Sequence, residues 1–249
     1  MIGFFAFGTI VASFIGVVAG RINTGQSFLA GRSRCDVCGE PLTSSALVPI
    51  LSYVAMHGRA QCCGARISPL SSLSELLLGA LFALSYHALG LSITLPFFLA
   101  ALALLLALVL YDLTHQILPT PLLTVFVAAS VLAGFFAAPA PADFFRSTLV
   151  ALAIGGSLLA IHFFSRGRAM GFADAPLAFG LSLLTGGAAL PGFVFSFWIG
   201  AVIGIALLAQ GPRSSRMGVE VPFAPFLAAG FILAYFTQWN PFVFIAVSP

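Results

Sequence analysis

Lysine is missing from this chain: its ten cations are all arginine, set against seven acids, and charged residues make up only 7% of 249 positions. A soluble domain carries roughly a quarter charged residues, so a water-filled exterior on all sides is excluded. The net charge of +3 is scattered, and no basic run or basic–aromatic alternation points to a nucleic-acid partner. A charged segment is also missing ahead of the first apolar run, Met1 to Gly20, where a secretory signal would carry one. No repeat of 20–50 residues is evident. What is present is apolar bulk: 60% hydrophobic residues, 26 of them Phe, and a mean hydropathy of +1.11. The expected fold is an all-α polytopic membrane protein with the lipid bilayer as its immediate partner.

A helical span needs roughly 20 mainly apolar residues. Eight are expected, near residues 2–20, 73–93, 95–112, 118–138, 145–164, 174–190, 191–210 and 222–246, divided by Gly and Pro punctuation such as Gly90, Pro96, Pro119, Gly186-Gly187 and Gly211-Pro212. The arginines orient them. With the N-terminus outside, the segments 21–72, 112–118, 165–173 and 211–221 face the cytoplasm and hold Arg21, Arg32, Arg34, Arg59, Arg66, Arg166, Arg168, Arg213 and Arg216; only Arg146 falls elsewhere. The expected organisation is a first span (1–20), a cytoplasmic cysteine-containing domain (21–72) and a seven-helix membrane domain (73–249). Gly16-x-x-x-Gly20 and Gly200-x-x-x-Gly204 read as simple helix packing.

Two carboxylates stand out. Asp112 closes the run from Leu95, and Asp174 opens a later one, so the topology puts both on the cytoplasmic face. Ionisable residues at the edge of a span are costly and functional by default. Two carboxyl groups sharing a proton can hold a water, one taking its proton while the other protonates a substrate carbonyl oxygen. Asp112 ends a helix, where the dipole disfavours more negative charge, whereas Asp174 starts one; that argument makes Asp174 the base and Asp112 the acid. Asp174 also suits a plain helix N-cap, but capping explains Asp112 poorly. His115 reads as an interfacial side chain, and Glu75 as a first-turn carboxylate.

All four cysteines fall in 21–72, as Cys35-x-x-Cys38 and Cys62-Cys63. A reducing cytoplasmic side disfavours disulfides, and two cysteine knuckles about twenty residues apart suit a structural zinc. A redox pair or free thiols are the alternatives.

These features together resemble the prepilin peptidases, or type IV leader peptidases, among the membrane aspartic peptidases with a Gly-x-Gly-Asp motif. The resemblance is carried by Ser13 to Val18 with Arg21, the knuckle Gly31 to Cys38, Leu47 to Tyr53 with Gly58-Arg59, Ile67 to Leu76, Asp112 to Pro119, and Pro222 to Phe226. It implies an eight-span enzyme of the bacterial inner membrane that cuts the leader from type IV prepilins or type II secretion pseudopilins at the cytoplasmic face. The resemblance also implies N-methylation of the new terminus with S-adenosylmethionine in many members, and it carries over Asp112 and Asp174 as the catalytic pair.

The chain departs from the family pattern in three places. Ala173 stands for the second Gly of the motif, Pro176 for a Lys, and Ala60 for a Cys, with Cys62 offset. The first two keep open a catalytically silent, pilin-binding relative. A proton-coupled transporter is the rival from another class, opposed by the absence of a charge midway along any span.

Overall fold

Each long apolar run becomes a helix, and local chemistry sets where it stops. The computed structural model describes residues 1–22, 35, 37–41, 43, 49–210 and 221–241. Arg32, Arg34, Arg213 and Arg216, on which the orientation argument leans, lie outside the described residues, as do Gly31, Asp36, Leu47, Val48 and the Gly211-Pro212 break. The helices are α1 (Ile2–Arg21), α2 (Leu51–Ala55), α3 (Pro69–Leu89), α4 (Thr94–His115), α5 (Thr120–Ala137), α6 (Pro141–Ser165), α7 (Asp174–Thr185), α8 (Ala189–Gln210) and α9 (Ala224–Thr237). Among the described residues there is no strand; an isolated antiparallel bridge joins Arg59 and Arg66. The chain divides into two compact units, Met1–Leu95 and Pro96–Pro249.

In the first unit α1 lies antiparallel against α3. Phe4 stacks on Tyr86 with ring centroids 4.4 Å apart, and Phe7 tilts against Phe82. The two backbones meet at Gly8 and Gly79, where a β-carbon on Gly8 would sit 2.8 Å from the Gly79 Cα. Small residues are what such an approach in lipid requires. It is not made by Gly16 and Gly20, around which a β-carbon would find open space. α3 starts four residues ahead of the expected 73, because Ser68 accepts a hydrogen bond from the Leu70 N–H at 3.3 Å and Pro69 occupies the first helical position. Glu75 therefore sits in the second turn, not the first. Its Oε2 accepts the Ile50 N–H at 2.8 Å and so holds a residue at φ +60, a left-handed conformation that a β-branched side chain adopts only under constraint.

In the second unit α7 is the central strut. It packs against α5, α6, α8 and α9, and ten of its twelve residues are buried. Gly186 ends it at φ +53, and a 3-10 turn over Gly186–Ala188 leads into α8. The break therefore falls before the expected boundary at 190, with Pro191 absorbed in the first turn of α8, where no N–H is needed. Among the described residues six stretches are long and apolar enough to cross a membrane, the sixth being the whole of Asp174–Leu207, and Ala224–Thr237 is a shorter apolar helix. Alone, α7 rises only about 18 Å, short of a bilayer core of about 30 Å. Gln238, in the left-handed conformation, ends α9 well before the expected 246.

Candidate active site

Asp112 stands one turn before the end of α4, where Gln116 turns left-handed at φ +55 and its N–H bonds the Asp112 carbonyl at 2.8 Å. The side chain is 6% exposed. Its Oδ2 is buried and accepts no hydrogen bond from the described residues, while the carboxyl group lies within reach of the Ala224 N–H, the first amide of α9. An unpaired buried carboxylate oxygen is costly as a structural part and calls for an explanation in chemistry.

Asp174 is the first residue of α7 and is 8% exposed. Its Oδ2 accepts the Gly171 N–H at 3.1 Å. That bond reaches back three residues and closes the turn 171–174, so Asp174 does not cap the N–H groups of its own helix. A β-carbon on Gly171 would lie 3.3 Å from the same oxygen, close enough that a side chain there would require the carboxyl group to give by a few tenths of an ångström. Ala173 has φ −71 and ψ −16, an ordinary helical conformation open to any residue, so its methyl group costs nothing here. Pro176 falls at the third helical position, where its lack of an N–H removes only a group that would have no intrahelical partner.

The two carboxyl groups lie within electrostatic reach of one another. Asp112 lies within reach of the first amide of α9 and Asp174 bonds the turn that leads into α7, so both carboxyl groups, and not Asp174 alone, meet a backbone N–H beside a helix start. His162, unremarked in the sequence, also lies within electrostatic reach of Asp174. It sits in the last turn of α6, its Nδ1 is 2.9 Å from the Met170 carbonyl oxygen, and its ring meets Phe172 edge-on at 5.7 Å. It thereby fixes the loop that delivers Asp174. Its only sequence signal is its place just ahead of Arg166-Gly167-Arg168. His115 is exposed, stacks on Tyr111 at 4.2 Å and contacts the Thr114 Oγ1 at 2.7 Å, consistent with an interfacial role.

In the first unit the four cysteine sulfurs all lie within 4.8 Å of one another, Cys35 3.7 Å from Cys63 and Cys38 3.2 Å from Cys62. A tetrahedral zinc with bonds of about 2.3 Å would set sulfurs roughly 3.8 Å apart, so the donor set fits. Two turns of the same build present them. Gly39 N–H bonds the Cys35 carbonyl and Cys35 N–H the Glu40 carbonyl; Gly64 N–H bonds the Ala60 carbonyl and Ala60 N–H the Ala65 carbonyl, all at 2.8–2.9 Å. Gly39 and Gly64 hold φ +73 and +69. Ala60 therefore occupies the place of Cys35 in the second turn, and Cys62 supplies the fourth sulfur from an offset position. Backbone N–H groups of Cys38, then Val37, draw the Cys35 thiol down to about 6. Cys62 is pushed up to about 12, first by its hydrogen bond to Cys38. Four sulfurs so close hold one negative charge readily and resist more, which a dication would reverse.

The type IV leader peptidase family profile matches residues 98–208, and that of the bacterial peptidase A24 N-terminal domain matches 6–89. A prepilin leader peptidase/N-methyltransferase of Bacillus subtilis (strain 168) is 32% identical over 93% of this chain and 92% of its own length. The chain belongs to the type IV leader peptidase family. Proteins of the same printed name from Myxococcus xanthus (strain DK1622) and Dichelobacter nodosus are 34% and 33% identical over 85% and 81% of this chain, and 65% and 70% of their own. No solved structure matches. The gap between the two profiles, 90–97, contains the division between the two compact units, and both candidate aspartates fall in the leader peptidase segment.

Proposed function

We propose that Asp112 and Asp174 are the catalytic pair of a membrane-embedded aspartic endopeptidase that removes the leader from type IV prepilins or type II secretion pseudopilins. The observation that carries this reading is the convergence of two buried carboxyl groups, one with an orphaned oxygen, at the ends of helices from distant parts of the chain. In such a pair one carboxylate takes a proton from water as its oxygen attacks the scissile carbonyl carbon. The other, protonated, gives its proton to the carbonyl oxygen. As the diol collapses, the now ionised carboxylate takes a hydroxyl proton from it and the C–N bond breaks. The other carboxyl group gives the proton taken from water to the departing nitrogen, leaving the pair with its one shared proton for another cycle. His162 and Gly171 act on position alone, by holding the Asp174 turn.

The cytoplasmic face of the bacterial inner membrane is the proposed place of cleavage, following the arginine distribution. Cys35, Cys38, Cys62 and Cys63 would hold a structural zinc, whose contribution is to the folding of the cysteine segment and not to the cut. The relatives' names also include N-methyltransferase, for which S-adenosylmethionine would be the donor. Among the described residues there is no strand leading through a glycine turn to a helix, the cradle such a cofactor often uses, so none of them is assigned to it. The test is cleavage of a purified prepilin by the protein in proteoliposomes. Release of the leader by wild type and not by Asp112→Asn supports the reading; appreciable release by Asp112→Asn ends it.

A further inference from the structure

Away from the carboxyl pair, the first unit has an open groove of about 540 Å³ bounded by Tyr53, His57, Arg59, Arg66, Ser68 and Pro69. Arg59 and Arg66 face each other across the antiparallel bridge and are both exposed. The groove's frame is closed by backbone bonds from the Gly58 N–H to Tyr53 and from the Ile67 N–H to Gly58, at 2.9 and 2.8 Å. None of the lining residues is acidic, so two guanidinium groups, an imidazole and two hydroxyls share one space with no acid among the described residues that line it. Guanidinium pairs recognise phosphate through parallel N–H bonds.

The position of the groove selects the source of that phosphate. Pro69, on its wall, is the first residue of α3, and Leu70, Leu73, Leu76 and Leu77 just beyond it are exposed on a helix apolar enough to cross a membrane. The cationic groove thus lies where a span passes from its aqueous end into apolar surroundings, the level of lipid headgroups. We propose that this groove binds the phosphate of an anionic membrane lipid, fixing the cysteine-bearing segment against the bilayer surface.

Native mass spectrometry of the full-length protein, titrated in detergent with phosphatidylglycerol or phosphatidylcholine, tests this. Wild type should retain phosphatidylglycerol over phosphatidylcholine. Arg59→Gln with Arg66→Gln should weaken retention about twenty-five-fold, since each arginine near an anionic surface is worth roughly fivefold. Equal retention by the double variant would overturn the proposal. Wild type holding both lipids alike would also overturn it, and that arm needs no variant to fold. Inorganic phosphate is the third probe: weak competition with phosphatidylglycerol supports a lipid site, whereas phosphate bound tightly with no lipid retained overturns it.

Discussion

Asp112 and Asp174 differ in what holds them: one oxygen of Asp174 is bonded to the turn just ahead of it, while one of Asp112 has no partner among the described residues. If they act as one unit, Asn at either position keeps the size but removes the proton chemistry. Asp112→Asn and Asp174→Asn should each lower prepilin cleavage by at least about a hundredfold, and the double change should cost little beyond either single one. A boundary role for Asp112 predicts the opposite, with most activity kept. A second outcome concerns the alanine in the motif. Because Ala173 already sits at φ −71, Ala173→Gly should leave cleavage within about twofold and cost no more than about 1 kcal/mol of stability. A large gain in kcat would mean that the working enzyme needs a left-handed backbone there. Both aspartates were legible from sequence, because a charge at the edge of an apolar run is conspicuous. The Ala224 N–H and His162 were not. The first is a backbone group brought in by a helix more than a hundred residues away from Asp112, and the second is one histidine on a helix whose register sequence does not reveal.

At the scale of elements, the runs were visible and their ends were not. Apolar length marks a helix, but the start of α3 was decided by Ser68 and Pro69, and the end of α7 by Gly186 adopting positive φ. Glycine spacing misled in α1, where the contact with α3 is made at Gly8 and not at Gly16 or Gly20, since spacing alone does not say which face meets a neighbour. The cysteine turns were the reverse case: an irregular second pair in sequence becomes a regular second turn in space, with Ala60 in the vacated place. Purified protein should carry about one equivalent of zinc, and Cys35→Ser should release it and lower stability while cleavage per folded molecule is unchanged. Ala60→Cys should tighten the metal, as read by competition with a chelator; metal-free protein with four freely titrating thiols would speak for the free-thiol alternative.

For the whole molecule, the helices appear at the eight expected places, yet among the described residues six stretches are long enough to cross unaided and α7 and α9 are short. An even number of crossings with the N-terminus outside puts both termini on one side and Arg59 on the other. Reporter fusions at Arg59 and after Pro249 should therefore give opposite signals; like signals would remove the common face on which the two aspartates are expected.

The enclosure of α7 has a consequence for tolerance to change. A helix with one face toward lipid accepts substitution in a rhythm, free at outward positions and restricted every third or fourth residue. α7 has almost no such outward face, as ten of twelve residues are buried and the other two, Pro176 and Phe179, are half-buried. A saturation scan selecting for prepilin processing should show a periodic pattern along α6, where exposed and buried residues alternate, and a block of intolerance from Asp174 to Thr185 relieved only at Pro176 and Phe179. Bulky residues should be refused even at its small positions: at Gly180, a β-carbon would already come within 2.7 Å of the Phe126 ring. A helix too short to span and closed along nearly its whole circumference leaves drift in the sequence almost nowhere to go.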